Sequence, residues 1–356
     1  MTENERTELK EIILKSIEKH PLSQPRDLLK LLFQNEFGGG HLIKDEKEAF
    51  ARLKDEYASL EPERNDTFFE YIGNNKARAN ISAFTSEEMP ILCKAFTESA
   101  KAANGSKEAL FKKLDYLTEL AKMQEIPYCE SEIAQAVYSY KNGGDLLISH
   151  SERYREAYKP AYRVINKPYA NALLAAKLAL QISKGREYTV IAVDGMAGAG
   201  KTTAAEAIGT LLDANIIHAD DFFLPPEMRS GERLAQPGGN IHYERLKAQV
   251  IDNLRQPEAF TYEVFDCGKG RISETRAVEN KPFTVIEGSY SLHPALGDYA
   301  DLRIFVKTDP ETQLRRIKAR NGEAAAEIFK AKWIPLENRY FDYYGIDESV
   351  LLSIST

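Results

Sequence analysis

The feature that most constrains this 356-residue chain is a glycine-rich segment that directly follows a short apolar run. The run, residues 188–193, has the composition of a strand buried in a parallel sheet, and the residues after it read DGMAGAGKTT. They match the pattern G-x-x-x-x-G-K-[ST] at Gly195, Gly200, Lys201 and Thr202, and a helical pattern follows. A strand, a glycine-rich turn and a helix in this order predict a phosphate-binding loop, and therefore a nucleotide site.

Each kind of residue in this loop has a physical role. Glycine lets the backbone curl until successive N–H groups point into one concavity, and the following helix adds the positive end of its dipole. Lys201 can reach the β- and γ-phosphates, and the hydroxyl of Thr202 can ligate Mg²⁺. We therefore predict that the nucleotide-binding residues are Gly195, Met196, Ala197, Gly198, Ala199, Gly200, Lys201, Thr202 and Thr203.

The two halves of the chain have different hydrophobic periods. Up to about residue 185, apolar residues recur at helical spacing and glycines fall mainly at the breaks. From residue 186 onwards, helical patterns alternate with short β-rich runs at residues 188–193, 215–218, 283–286, 302–306 and 350–354. The sequence therefore predicts an all-α domain over residues 1–185, followed over residues 186–356 by an α/β domain with a mainly parallel sheet.

Composition narrows the classes of function. The formal net charge is −7 and no apolar run approaches the ~20 residues of a membrane-spanning helix, so we expect no nucleic-acid partner and no membrane partner. The three cysteines lie far apart, without disulfide or metal spacing, and the N-terminus is polar. We therefore expect a soluble, cytoplasmic protein and leave open whether it forms a homo-oligomer.

Acidic residues follow two of the predicted strands. Asp220 and Asp221 come after the strand at 215–218, and Glu287 comes after the strand at 283–286. The carboxyl ends of parallel strands meet at the edge where an open α/β sheet binds its ligand. A carboxylate there can accept a proton from an attacking hydroxyl or help to bind Mg²⁺; a simple turn or an exposed strand end is the alternative.

The last predicted helix carries Arg316 and Arg320, which are four residues apart and therefore on one face. Two guanidinium groups on that face can offset the charge of a transferring phosphoryl group. Arginines on a helix are, however, more often simply solvated.

Together these elements resemble the uridine kinase, phosphoribulokinase and pantothenate kinase group of P-loop kinases. The resemblance covers roughly residues 187–356 and rests on the segments GMAGAGKTT, DDFF, VIEGSY and RRIKAR. It implies a P-loop NTPase kinase domain that uses ATP and Mg²⁺ to phosphorylate a hydroxyl of a small molecule. The strand-end aspartate of that group is the catalytic base. The resemblance thus assigns catalysis to Lys201, Asp220, Arg316 and Arg320, and Mg²⁺ to Thr202 and Glu287, with Asp221 as a further candidate.

The sequence also departs from uridine kinases. Residues 236–243, QPGGNIHY, replace their acceptor segment, and Arg320 is followed by NGEAAA instead of further arginines. Both differences concern the acceptor side and the lid, so we expect the phosphate chemistry to be kept and uridine to be a poor or non-exclusive acceptor. Two other functions stay open: a nucleotide-dependent regulatory ATPase or switch without an acceptor, and a module that binds ATP without turnover.

Three patterns stand out in the helical half. Polar clusters lie beside glycine turns at residues 34–41 and 72–80, and tyrosines recur at helical spacing at positions 154, 158 and 162. We favour helix caps and turns for the clusters, including His41, and packing for the tyrosines. A ligand-binding or regulatory surface is the alternative.

Overall fold

The computed structural model describes residues 1–40, 43, 45–60 and 67–356, and it divides into two compact units, Met1–Ala170 and Asn171–Thr356. His41, from the first polar cluster, lies outside the described residues. A helix, Lys167–Ile182, runs across the division. The domain boundary predicted at residue 185 lies after this helix, because the sequence shows a strand pattern only from residue 186 onwards.

The first unit is mainly helical. Its helices are α1 (Glu3–Lys19), α2 (Pro25–Phe37), α3 (Glu46–Ser59), α4 (Met89–Lys101), α5 (Lys107–Lys122), α6 (Glu130–Asn142) and α7 (Glu152–Tyr158). Short 3-10 turns at Ile81–Ala83 and Ser86–Glu88 precede α4. The unit also contains an antiparallel sheet in the order β1 (Phe69–Gly73), β2 (Lys76–Asn80) and β3 (Tyr162–Asn166).

This sheet corrects the expectation of an all-α domain. The central strand β2 reads KARAN and lacks the β-branched and aromatic residues that normally mark a strand, yet its first four residues are buried. The turn between β1 and β2 is made by Asn74 and Asn75, which have φ values of +48° and +57°. Packing of the sheet therefore overrides the local sequence preference.

The core of the first unit lies among α1, α2, α5 and α6. Ile13, Leu32, Leu114, Leu117 and Ile133 belong to this core and are 0% exposed. The helix α1 begins at a capping box, in which Glu5 Oε2 accepts from the backbone N–H of Thr2 at 2.7 Å. The predicted helical faces are thus the faces that are buried.

The second unit begins within α8 (Lys167–Ile182). Its elements are β4 (Thr189–Gly195), α9 (Lys201–Leu212), β5 (Asn215–His218), α10 (Gly231–Leu234), α11 (Tyr243–Gln249), β6 (Phe260–Asp266), β7 (Arg271–Val278), β8 (Phe283–Glu287), β9 (Leu302–Lys307), α12 (Pro310–Asn321), α13 (Glu323–Ile328), α14 (Ile334–Tyr344) and β10 (Leu352–Ser355). Short 3-10 turns lie at Ala219–Phe222, Pro226–Met228, Ile251–Asn253 and Pro294–Leu296, and a π-helical turn lies at Phe329–Trp333. None of the described helices is both long and apolar enough to cross a membrane.

Five of these strands form a parallel sheet in the order β10-β9-β4-β8-β5. The predicted α/β fold with a mainly parallel sheet is therefore confirmed. All seven residues of the central strand β4 are buried. Glu287 at the end of β8 pairs with Val193 of β4 and with His218 of β5. The register thus brings the ends of β4, β5 and β8 to one edge of the sheet.

An antiparallel hairpin of β6 and β7 was not predicted. The sequence of β6, FTYEVFD, alternates apolar and polar residues through most of its length, and this alternation was a usable signal. The sequence of β7, RISETRAV, is polar, and most of its residues are exposed. The hairpin matters because β6 contacts the 3-10 turn that follows β5.

We expect Leu32→Ala to lower the free energy of unfolding of the first unit by about 2–5 kcal/mol, because it leaves a cavity in a close-packed core. Urea denaturation followed by circular dichroism at the helix band measures this. Leu22→Ala is the matched control, since Leu22 is 41% exposed and Leu32 is 0% exposed. Equal losses in the two variants would contradict the described core.

Candidate active site

The glycine-rich loop connects β4 to α9, in the order that the sequence predicts. Gly195 has a φ of +141°, and a Cβ atom on it would lie 2.0 Å from the carbonyl oxygen of Val306 in β9. Gly200 has a φ of +91° and immediately precedes α9. Glycine is therefore needed at the first position for close approach to β9, and at the second for the left-handed turn into the helix.

Lys201 lies folded over this loop. Its Nζ atom donates to the carbonyl oxygens of Gly195 at 2.8 Å and Met196 at 3.1 Å, and to Ser289 Oγ at 3.1 Å. These are neutral acceptors that a phosphate oxygen can replace. An ammonium group held at the mouth of a loop of backbone N–H groups fits a polyphosphate.

Glu287 joins two other elements at the end of β8. The hydroxyl of Thr202 donates to Glu287 Oε1 at 3.2 Å, and His218 Nδ1 lies 2.6 Å from the same oxygen. This contact raises the pKa of His218. Glu287 is 4% exposed, so its carboxylate is held in place by these two partners. The structure thus brings together the two residues that the sequence assigns to Mg²⁺.

The donor set of Thr202 and Glu287 fits Mg²⁺, because hard cations prefer hydroxyl and carboxylate oxygens. Within the described ranges, no group of three or more His, Cys, Asp and Glu side chains is arranged to hold a metal ion. The remaining ligands of a bound Mg²⁺ would therefore come from water and phosphate, as is usual when this ion accompanies a nucleotide.

The two adjacent aspartates lie in the 3-10 turn Ala219–Phe222 and have different partners. Asp221 is 8% exposed, and its Oδ2 atom accepts from the hydroxyl of Tyr262 at 3.0 Å and from Arg276 at 2.8 Å. Both partners belong to the β6–β7 hairpin. The structure therefore bonds the side chain of Asp221 to the hairpin, whereas Thr202 and Glu287 are bonded to each other.

Asp220 is exposed to solvent in the crevice, by which we mean the edge of the sheet at the ends of β4, β5 and β8. Its Oδ1 atom lies 3.4 Å from the position that a Cβ atom on Gly288 would occupy, directly after Glu287. Partial desolvation by the surrounding protein atoms raises the pKa of Asp220 to about 6, against the opposing effect of Lys201. Such a carboxylate is ionised at neutral pH and is still basic enough to take up a proton.

Asp194 is a structural residue of the site that the sequence did not single out. It is 0% exposed and accepts four hydrogen bonds at 2.7–3.1 Å, from the backbone N–H groups of Gly195, Tyr290 and Leu292 and from the hydroxyl of Tyr340. Burial raises its pKa to about 6. Tyr290 has a φ of +73°, a strained conformation for a residue with a side chain, and the bond to Asp194 helps to hold it.

Glu337 of α14 is a second residue that the sequence did not reveal. Its carboxylate accepts from the backbone N–H of Ala197 at 2.9 Å and from Ser289 Oγ at 2.7 Å, and it is 7% exposed. Ser289 in turn accepts from Lys201. Glu337 is far along the chain from the loop, so no local pattern could have placed it there.

Two curated proteins are similar to this chain over part of its length. Uridine kinase of Ligilactobacillus salivarius (strain UCC118) is 26% identical over 170 residues, covering 43% of this chain and 79% of that protein. Cytidylate kinase of Pyrobaculum arsenaticum is 28% identical over 163 residues, covering 44% of this chain and 76% of that protein. Among solved structures, a possible uridine kinase from Bacillus stearothermophilus has a TM-score of 0.41 and 18% identity, covering 52% of this chain and 97% of that one. No protein-family model matches the chain.

Both curated relatives are kinases by name, one of a nucleoside and one of a nucleotide. The chain is therefore similar to a nucleoside kinase and a nucleotide kinase over part of its length.

In the second unit, the two predicted lid arginines have different partners. Arg316 of α12 donates to the carbonyl oxygen of Gly198 at 3.4 Å and to Thr356 Oγ1 at 2.8 Å, so it lies against the loop. Arg320 donates to the side chain of the neighbouring Asn321 at 2.8 Å. The structure therefore brings Arg316 to the phosphate-binding loop and leaves Arg320 at the end of the helix.

Residues 236–243 of the second unit are held by Arg233. Its guanidinium donates to the carbonyl oxygens of Gly239 and Ile241, each at 3.0 Å, and lies 3.9 Å from the ring centroid of Tyr243. The segment is thus fixed by contacts within its own unit.

We expect Asp194→Asn to lower the free energy of unfolding of the second unit by about 1–3 kcal/mol, because an asparagine presents an amide N–H₂ group to buried N–H donors. Urea denaturation followed by the fluorescence of Trp333, the only tryptophan, measures this. Asp342→Asn on the exposed face of α14 is the control. An equal effect of the two changes would contradict the anchoring role of Asp194.

Proposed function

We propose that the chain is an ATP- and Mg²⁺-dependent kinase that transfers the γ-phosphate to a hydroxyl of a small, nucleoside-like metabolite. The observation that carries this proposal is the open carboxylate of Asp220, which shares a crevice with Lys201 and with the Thr202–Glu287 pair. A loop that only binds a nucleotide needs no such base. A phosphotransferase that activates an alcohol does.

Each residue of the crevice has a role in this reaction. Lys201 exchanges its carbonyl contacts for the β- and γ-phosphates of ATP, and Asp220 accepts the proton of the acceptor hydroxyl as that oxygen bonds to the γ-phosphorus. The bond from the γ-phosphorus to the bridging oxygen of ADP breaks at the same time. Arg316, against the loop, offsets negative charge on the transferring group. Mg²⁺, held by Thr202 and Glu287, supplies further charge stabilisation when it is bound.

The acceptor side supports a nucleoside-like substrate without favouring uridine itself. Both curated relatives are named for pyrimidine compounds, which supports an acceptor of this kind. The β6–β7 hairpin contacts the residue after Asp220, since Tyr262 and Arg276 are both bonded to Asp221. Because residues 236–243 differ from the uridine kinase pattern, we propose that another hydroxyl metabolite is the preferred acceptor.

The direct test is formation of ADP from ATP and Mg²⁺ in the presence of a panel of nucleosides and other hydroxyl metabolites. We expect at least one acceptor to raise ADP formation well above the rate with water, and Lys201→Ala to remove that increase. ADP formation that no acceptor changes would overturn the proposal and favour a regulatory ATPase. A clear preference for uridine over all other acceptors would overturn the acceptor assignment alone.

Substituting each of the two aspartates in turn distinguishes the catalytic base from its neighbour. Asp220→Asn should lower kcat by about 10²–10⁴-fold with little change in ATP affinity, because it removes proton acceptance and leaves the phosphate loop intact. Asp221→Asn is the matched control and should cost less, since the carboxylate of Asp221 is bonded to Tyr262 and Arg276 of the hairpin. Steady-state kinetics with the best acceptor decide the order. The reverse order, with ATP binding intact in both variants, would move the base to Asp221.

The pKa of Asp220 sets the acid side of the pH profile. Since the base works only when ionised and its pKa is raised to about 6, kcat/KM should fall about tenfold per unit as the pH drops below this value. The residual activity of Asp220→Asn should show no such limb. A limb that persists unchanged in this variant would assign the titration to another group.

A further inference from the structure

The first unit contains a cavity of about 760 Å³ that the proposed kinase chemistry does not use. It lies beside the end of α1, along β1 and β2 and the residues around α7, and Lys19, His20, Glu70 and Arg78 are among its lining residues. Its volume is within the range of about 300–1,000 Å³ that small-molecule sites occupy.

Arg78 forms part of the cavity wall and is 3% exposed. Its guanidinium donates to Gln34 Oε1 through Nε at 3.0 Å and through one terminal nitrogen at 2.7 Å, and to Glu70 Oε1 at 3.1 Å. Three of its five N–H groups thus have an acceptor, and the other two have none among the residues that the structure describes. A buried guanidinium is costly unless its donors are used, which favours a ligand that accepts from it.

A chain of buried hydrogen bonds holds Arg78 in position. Gln34 Nε2 donates to the hydroxyl of Tyr162 at 3.1 Å, and that hydroxyl lies 2.6 Å from His150 Nε2. His150 Nδ1 lies 2.9 Å from Asp27 Oδ1. Burial lowers the pKa of His150 to about 4, so the ring is neutral and donates to Asp27, which leaves Nε2 to accept from Tyr162. The cation is therefore fixed before any ligand arrives, which lowers the entropic cost of binding.

The charges of the cavity favour an anion. Among the lining residues that the structure describes, Glu70 is the carboxylate, and it is shared by Lys19 at 3.1 Å and Arg78 at 3.1 Å. These two cations thus exceed the charge of Glu70 by one. Burial lowers the pKa of His20, which keeps that ring neutral at physiological pH.

Aromatic rings form another part of the wall. Tyr154 and Tyr158 pack against one another with ring centroids 4.8 Å apart, and His20 lies 5.1 Å from the first ring and 4.8 Å from the second. Arg78 lies 4.8 Å from the ring centroid of Tyr162. An organic ligand would therefore find an apolar surface for its body next to cations for its charged group.

We infer that this cavity is a binding site for a small organic anion whose phosphate or carboxylate group is held by Arg78 and Lys19 and whose body packs on Tyr154 and Tyr158. This site is independent of the proposed kinase chemistry, and its residues all belong to the first unit.

The test uses the full chain with ¹³C-labelled tyrosine rings and no ATP, so that the signals of the cavity tyrosines report binding there. Tyr154→Phe and Tyr158→Phe assign the two signals. The probes are phenyl phosphate, benzoate and the neutral benzyl alcohol. We expect saturable shifts of both tyrosine signals with phenyl phosphate, with benzoate or with both, and none with benzyl alcohol; the comparison shows which anionic group the site takes.

A matched pair of lysine variants tests the contribution of the cation. Lys19 and Lys10 both lie on α1 and pair with a glutamate, at 3.1 and 2.8 Å, with side chains 48% and 35% exposed. Lys19→Ala should weaken binding of the preferred anion about tenfold or more, and Lys10→Ala should leave it within about twofold. Equal affinities in the two variants, shifts with benzyl alcohol of the same size, or no saturable shift with either anion would overturn the inference, and none of these outcomes bears on the kinase reaction.

Discussion

The buried carboxylate of Asp194 ties together the parts of the chain that the candidate active site depends on. It accepts hydrogen bonds from the last residue of its own strand β4, from the segment after β8 and from α14, three regions that are distant in sequence. A fully buried carboxylate is costly unless its oxygens are satisfied, and here four donors satisfy them. The position of Glu337, which contacts the phosphate-binding loop from the same helix, follows from this anchoring.

The crevice shows how two neighbouring carboxylates acquire different properties. Asp221 is bonded to Tyr262 and Arg276, so it serves the packing of the hairpin on the sheet. Asp220 is left open to the crevice with a pKa raised to about 6. The two carboxylates differ because the hairpin supplies bonding partners for Asp221. The alternation of side chains along an extended strand is not the cause, since both residues lie in a 3-10 turn.

The sequence predicts the parts of this structure that depend on local signals. The strand, loop and helix around Gly195 and Lys201, the five parallel strands and the helical character of the first unit all leave a periodic or compositional mark. The sheet of the first unit, the contact of Glu337 with the loop and the buried network around Arg78 do not, because they arise from packing between segments that are far apart in the chain. The polar clusters around residues 34 and 78 were visible in the sequence, but their meeting in space was not.

The hairpin of β6 and β7 also bears on how such a domain can diversify. It is inserted between β5 and β8, and it meets the 3-10 turn after β5 through Tyr262 and Arg276, while most of β7 faces solvent. The turn between its strands can change in length or sequence without disturbing the register of the parallel sheet or the glycine-rich loop. The surface beside the turn that carries the two aspartates can therefore vary among such domains while the sheet and the loop are kept.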